Sequence, residues 1–240
     1  MSEITEIIKS RFAECSLEEY SDTLTLERFA RLFSMLVETN RHINLTAIVE
    51  PEKVALLHFA DCLKAAHLIP RGAKLVDVGC GGGFPTLPLA IVRPDLAITA
   101  LDSTAKKLTF VEKAAKELSL NVKTLAARAE DLTSRSGGGM YREKYDVAVS
   151  RAVAELDILS ELCLPFVRIG GSFIAMKGSS ASLELEKARP AISKLGGGEV
   201  VIDAFSLPDA GARALITVNK SFPTPAAYPR PFAKIKKQPL

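Results

Sequence analysis

The stretch LVDVGCGGGFPTLPLA, residues 75–90, places an apolar, β-rich run directly before a cluster of four glycines. The run reaches an acid at Asp77, then passes through Gly79, Gly81, Gly82 and Gly83 before resuming in Leu, Pro and Ala. Each glycine forfeits backbone entropy on folding, so such a cluster belongs where a chain must turn tightly or lie against a ligand. The pattern predicts a strand over 74–78, a turn, and a helix over 85–92. The same texture continues along the chain. Further β-rich runs fall at 97–101, 122–126, 145–150, 171–176, 199–205 and 213–219, with helical candidates at 104–119, 155–164 and 181–195. Strands alternating with helices imply a parallel sheet covered on both faces. Only LPDAGA separates the last two runs, too short for a helical crossover, so that pair should be antiparallel. The expected fold is therefore α/β: a doubly wound, Rossmann-like, mostly parallel seven-stranded sheet with a terminal antiparallel hairpin. SRSGGGM (134–140) and the GGG of 196–198 read as loops.

Before this region the chain is helical. Ile4, Ile7 or Ile8 and Phe12 share one face, and Leu26, Phe29, Leu32 or Phe33 and Leu36 another, with Thr25 available as an N-cap. A third helix is expected from Pro51 to Leu68, with proline at an early position. Three regions follow: a helical extension over 1–70, the sheet domain over 71–220, and a basic, Pro-rich tail over 221–240.

With 48% hydrophobic and 25% charged residues in 240, the composition is that of a globular chain, not a disordered one. No apolar run is long enough to span a bilayer, and the N-terminus lacks a signal-peptide core, so a cytoplasmic, non-membrane protein is expected. Cys15, Cys62, Cys80 and Cys163 form no C-x-x-C pair, which argues against a zinc site or a disulfide framework. No metal is expected. Asn44-Leu45-Thr46 matches a glycosylation sequon, but without a secretory signal the match carries no weight. The net charge of +3 is uneven: Lys220, Arg230, Lys234, Lys236 and Lys237 crowd a final segment without acids, leaving the rest slightly acidic. A basic end on a near-neutral body suits a polyanion contact, or a solvated tail.

Three ligand classes use a glycine loop after a first strand. A P-loop needs Gly-Lys-Ser/Thr, and here Gly83 is followed by Phe84-Pro85-Thr86. A dinucleotide fold needs a third small residue where this chain has Phe84. What remains is Asp77-x-Gly79-x-Gly81-x-Gly83, similar to the first motif of class I S-adenosylmethionine-dependent methyltransferases. Asp102, at the tip of the second strand, can accept from both ribose hydroxyls, or can cap the next helix, as can Ser103. The Ala129-Glu130-Asp131 run after the third strand stands where that pattern carries an acid near the adenine amino group.

The fourth strand ends in Ser150-Arg151-Ala152, where such enzymes place the transfer chemistry. The Asn/Asp-Pro-Pro-aromatic run used on exocyclic amines is missing, and no cysteine has the context of a pyrimidine nucleophile. Guanine N7 needs neither, because its lone pair carries no proton to remove; the enzyme has only to align it and exclude water. Taken together, these motifs resemble the bacterial small-subunit rRNA guanine-N7 methyltransferases, the RsmG (GidB) family. The markers are Asn44-Leu45-Thr46, His58 with Asp61, Asp77 to Pro85, Leu101-Asp102-Ser103 with Lys106-Lys107, Arg128-Ala129-Glu130, Ser150-Arg151-Ala152, Lys177-Gly178 and Tyr228-Pro229-Arg230. Two places depart from the family: Cys62, commonly Ser there, and the PFAKIKK that replaces a Gly-x-Pro stretch.

The resemblance implies transfer to N7 of a guanine in a decoding-centre loop of 16S rRNA, on free rRNA or a small-subunit particle, by a monomer. Cofactor contacts are expected from Asp77, Gly79, Gly81, Gly83, Phe84, Asp102, Ser103, Ala129, Glu130 and Arg151. No general acid or base is expected; Arg151 would position, unless it pairs with Glu155 at i+4. Lys177, Tyr228, Arg230, Lys234, Lys236 and Lys237 are the RNA-binding candidates, with Tyr228 free either to stack on a base or to pack the tail. His58 and Asp61, three apart on a helix, can bond to each other or cap a neighbour. The alternatives are a methyltransferase of another RNA or a small molecule, a non-catalytic RNA-binding module, and an NAD-dependent oxidoreductase.

Overall fold

A computed structural model of the chain describes residues 2–240. Two amphipathic helices come first, α1 (Glu3–Glu14) and α2 (Thr23–Asn40), and bury Ile8, Phe12, Phe29, Leu32 and Leu36 completely. Asp22, not Thr25, is the N-cap of α2: its carboxylate accepts from the Thr25 amide at 3.1 Å. The third helix is broken into α3 (Pro51–Val54), a π-helical turn (Ala55–Ala60), α4 (Asp61–Leu63) and a short 3-10 turn (Ala66–Leu68). π-turns interrupt helices mostly where a site requires it, and this one carries His58.

The sheet follows, with β1 (Lys74–Val78), α5 (Thr86–Val92), β2 (Ala97–Asp102), α6 (Ala105–Glu117), β3 (Val122–Ala126), α7 (Ala129–Thr133), β4 (Tyr145–Arg151), α8 (Leu156–Cys163), β5 (Val167–Lys177), α9 (Ala181–Lys194), β6 (Gly197–Leu207) and β7 (Gly211–Lys220). Strand order is β3-β2-β1-β4-β5-β7-β6. The first five strands pair in parallel, and β7 lies antiparallel between β5 and β6. The doubly wound sheet and its terminal hairpin are thus as the alternation implied. Gly197 and Gly198 open β6 instead of forming a loop, and α7 had no periodic signal because it is only five residues long.

Residues alternate between the two faces of the sheet, as the period of two requires. On β1 and β4, Leu75, Val147 and Val149 face one core, while Val76, Val78 and Ala148 face the other. The first face meets the N-terminal elements, which share a core with Leu87, Leu108 and Val111 of α5 and α6. The second is covered by α8 and α9 and, at its edge, by the tail. The tail is not a loose end. Residues 232–237 form a last helix, α10 (Phe232–Lys237), anchored by a fully buried Ile235. Among the described residues no helix is long and apolar enough to cross a membrane.

Candidate active site

The turn after β1 is held from both sides. The amides of Gly79 and Cys80 donate to the Leu101 carbonyl at 2.8 and 3.0 Å, and that of Gly81 donates to Asp102 Oδ2 at 2.9 Å. Asp102 Oδ1 accepts from the Thr104 amide at 2.7 Å, so this acid fixes the approach to α6 as well as bracing the turn; the N-cap of α6 is Thr104, not Asp102 or Ser103. Each oxygen keeps one lone-pair direction for a ligand. Gly79 sits at φ 78°, and a Cβ there would come 2.5 Å from Val153 Cγ2, so only glycine lets the chain after β4 close over this point.

Around the turn lies a cavity of about 600 Å³ at the carboxyl ends of β1, β2 and β4, the position at which open α/β sheets bind ligands. Of the expected cofactor residues it brings together Gly79, Gly81, Phe84, Asp102, Ser103, Ala129, Glu130 and Arg151. Asp77 and Gly83 lie outside its lining. Asp77 is fully buried and braces the turn from behind, its Oδ2 accepting from the Thr86 amide at 3.1 Å and hydroxyl at 2.6 Å. Gly83 stands at φ 89° with Leu87 where a Cβ would go; its need is for close packing. At the opposite end Glu130 is buried, and burial raises its pKa above the ordinary carboxylate value. Phe232 of α10 closes the wall beside it, with the Arg128 guanidinium 5.7 Å over its ring. Neither Phe232 nor Leu45 was a sequence candidate; only the family-like Asn44-Leu45-Thr46 marker hinted at the second.

The most heavily bonded part of the site is Arg151. Alternation along β4 sends it to the face carrying the π-turn, where Nη1 donates to the Leu57 carbonyl (2.7 Å) and to Asp61 Oδ2 (3.1 Å). Its Nη2 lies 3.2 Å from His58 Nδ1, and since arginine only donates, that nitrogen accepts. The proton of His58 is then on Nε2, which donates to Thr46 Oγ1 at 2.7 Å. Asn40 clamps the Thr46 segment, taking the Leu45 and Thr46 amides on Oδ1 and donating to the Thr46 carbonyl. The His58 ring stacks on Phe84 with centroids 4.5 Å apart. The alternative Arg151–Glu155 pair does not form. His58 and Asp61 do not bond to each other either; both serve Arg151.

The RNA-binding candidates divide. Lys177 is committed, donating to the Ala154 carbonyl and paired with Glu184, each at 2.6 Å. Arg230 is likewise spent on Glu161, a fully buried carboxylate that it grips with Nε and Nη2. Lys220, counted with the basic tail, is buried between the Leu164 and Leu195 carbonyls and Thr224. Tyr228 packs against the α8–α9 core with Arg230 and Lys194 near its ring. Lys234, Lys236 and Lys237 remain exposed on α10.

Two buried groups titrate in opposite senses. Burial raises Asp77 to about 7 against the pull of its Thr86 bonds, whereas burial and then the Arg151 charge lower His58 to about 4. For Asp77 the protonated folded state is favoured, so its stabilising contribution is whole at low pH and fades as pH rises through about 7. For His58 the sign reverses, with stability gained as pH rises from about 4 to its ordinary 6.5. Urea midpoints of the parent and Asp77→Asn should therefore differ most in the parent's favour near the acid end. The gap should shrink steadily towards about 7 and stay level above. A pH-independent gap would show that Asp77 does not carry its proton.

The family of rRNA small subunit methyltransferase G (GidB) matches residues 25–214. A curated ribosomal RNA small subunit methyltransferase G of Lactobacillus delbrueckii subsp. bulgaricus is 42% identical over 95% of this chain and 98% of its own length. The chain belongs to that family. The Deinococcus radiodurans member is 45% identical over 89% of this chain and 85% of its own. Solved structures agree on the fold. A methyltransferase from Pyrococcus furiosus superposes with TM-score 0.55 at 15% identity, covering 82% of this chain and 99% of that one. M. jannaschii TYW2, solved in complex with AdoMet, gives 0.53 at 14%, covering 67% and 74%. As a member of this family the chain has its cavity at the strand ends where open α/β sheets bind ligands, with Arg151 in the lining.

Proposed function

We propose that the chain transfers the methyl group of S-adenosylmethionine to N7 of a guanine in 16S rRNA, within a decoding-centre loop of the small subunit. The family membership supports the RNA and the reaction class. The observation that carries the cofactor reading is the donor and acceptor set of the cavity: Asp102 at the tip of β2 and Glu130 after β3 line it together with the glycine turn at Gly79 and Gly81. Asp102 would take the ribose hydroxyls, Glu130 and the Ala129 backbone the adenine, and Gly79, Gly81 and Phe84 the remainder. S-adenosylmethionine supplies a methyl group on a positively charged sulfur.

The chemistry asked of the protein is modest. Guanine N7 presents an unprotonated lone pair, so alignment and water exclusion are the work to be done. His58, the one histidine at the site, is held neutral with its Nδ1 on Arg151 and its proton on Thr46. It positions Arg151 and stacks under Phe84, and takes no proton from substrate. Exposed Lys234, Lys236 and Lys237 would meet RNA phosphates. We assign the N-terminal helices 1–70, the sheet domain 71–220 and the tail 221–240 to holding this one site. Work on ribosomal RNA supports a cytoplasmic location.

Calorimetry should show S-adenosylmethionine binding to the parent, and Asp102→Ala should weaken it about tenfold to several hundredfold, as loss of charge-assisted hydrogen bonds requires. The variant also frees the Gly81 and Thr104 amides, so its urea midpoint should fall as well. Unchanged affinity would remove Asp102 from the site. Strand scission at 7-methylguanine in rRNA from a deletion strain, before and after incubation with the protein, tests the acceptor.

A further inference from the structure

A second cavity, of about 610 Å³, abuts the first. The two share His58, Arg151, Ala152 and Val153, so they adjoin at the π-turn and at the segment after β4. Ala152 turns this segment with a left-handed backbone, φ 57°, which an L residue seldom adopts, and leaves Val153 lying across Gly79 and 42% exposed. The far side of the second cavity comes from the end of β5, with Lys177 and Gly178, and the start of β7, with Arg213.

The cations there differ in how they are engaged. Lys177 is bonded to Ala154 and Glu184, and Arg151 to Leu57, Asp61 and His58. Arg213 donates Nη1 to the Ala210 and Ala212 carbonyls at 2.8 and 3.0 Å, and its Nε stands 3.9 Å from Asp61. Among the described residues its Nη2 has no hydrogen-bond partner. A guanidinium steadied along one side by backbone carbonyls, with donors left over on the other, is a preorganised receptor for a phosphate group.

We infer that the second cavity holds the acceptor nucleotide, a purine swung out of the RNA stack, with its backbone phosphate on Arg213 and its base beside Val153, reaching the first cavity where the two adjoin. This rests on the first cavity being the S-adenosylmethionine site. Enzymes that modify a base commonly extrude it into a pocket, and the volume suits one nucleotide. The ring-nitrogen lone pair then faces the methyl carbon. A nitrogen–carbon bond forms as the sulfur–carbon bond breaks, its electron pair remains on sulfur, and the positive charge passes to the base. No proton moves. Asp61 and Glu184, the buried or half-buried carboxylates of this cavity, are each already paired with a cation and are free of any such duty.

Two variants test the inference. Gly178 lines the second cavity and a Cβ on it meets nothing within 4 Å, so Gly178→Trp adds a bulky ring at the cavity without a clash at its Cβ. It is expected to bind S-adenosylmethionine with parental affinity and to lose single-turnover transfer to unmodified small subunits by about 100-fold or more, as blocked alignment requires. Arg213→Ala is expected to keep cofactor affinity and weaken RNA binding about tenfold. Its log K against log salt plot should flatten by roughly 0.7 for the one lost phosphate. Should Arg213→Ala fail to fold, Gly178→Trp decides alone. Parental transfer by Gly178→Trp would overturn the acceptor site while leaving the cofactor reading intact, and loss of its cofactor binding would overturn the separation of the two cavities. A parent chain that binds no S-adenosylmethionine would instead bring down the reading beneath both.

Discussion

Arg151→Ala is expected to unfold about 3–5 kcal/mol more easily than the parent and to lose methyl transfer almost completely. The stability loss follows from what the side chain leaves behind. Asp61 is 8% exposed, and its other cation, Arg213, stands at 3.9 Å against 3.1 Å for Arg151, so removal strands a poorly solvated carboxylate. The Leu57 carbonyl and His58 Nδ1 lose their donor in the same step. The activity loss follows from position, because Arg151 lines both cavities and fixes the ring on which Phe84 stacks. Arg151→Lys should recover part of the stability through Asp61 but little of the transfer, since an ammonium cannot serve carbonyl, carboxylate and imidazole in one plane. Urea unfolding and single-turnover assays measure the two effects. A stable, inactive Arg151→Ala would make Arg151 a substrate contact with no architectural part.

Arg230→Ala is expected to cost a similar amount, about 3–5 kcal/mol, although its place in a basic tail suggested a phosphate contact. Glu161 is fully buried on α8, and the Arg230 backbone amide and guanidinium together hold both its oxygens, Nη2 at 2.6 Å. Without the guanidinium the carboxylate keeps only the amide of residue 230. Because α10 follows directly, loosening it should draw Phe232 out of the cofactor cavity and weaken S-adenosylmethionine binding too. Replacing both partners, Glu161→Leu with Arg230→Met, should restore much of the stability by removing the stranded charge. An unchanged urea midpoint with lowered RNA affinity would return Arg230 to the RNA-binding surface.

Much of the fold was determined by the sequence alone. Helical and strand periodicities are local, the glycine cluster at 79–83 marks the end of β1, and the short LPDAGA link between the last two β-rich runs forces β6 and β7 into an antiparallel pair. For the same reason Gly79, Asp102 and Glu130 could be placed at strand ends, since position along a strand is a one-dimensional property. Which way a side chain is spent was decided by tertiary structure. Asp77 looked like a ligand contact by its motif, yet the pleat directs it behind the turn onto Thr86. Arg151 was legible as a site residue, but its partners come from a π-turn some ninety residues earlier that no periodicity reveals. Lys177, Lys220 and Arg230 carried the same formal charge in the sequence as Lys234, Lys236 and Lys237. Burial against Glu184, two backbone carbonyls and Glu161 consumed the first three, because a desolvated charge must be paired where it stands, and left the last three to solvent.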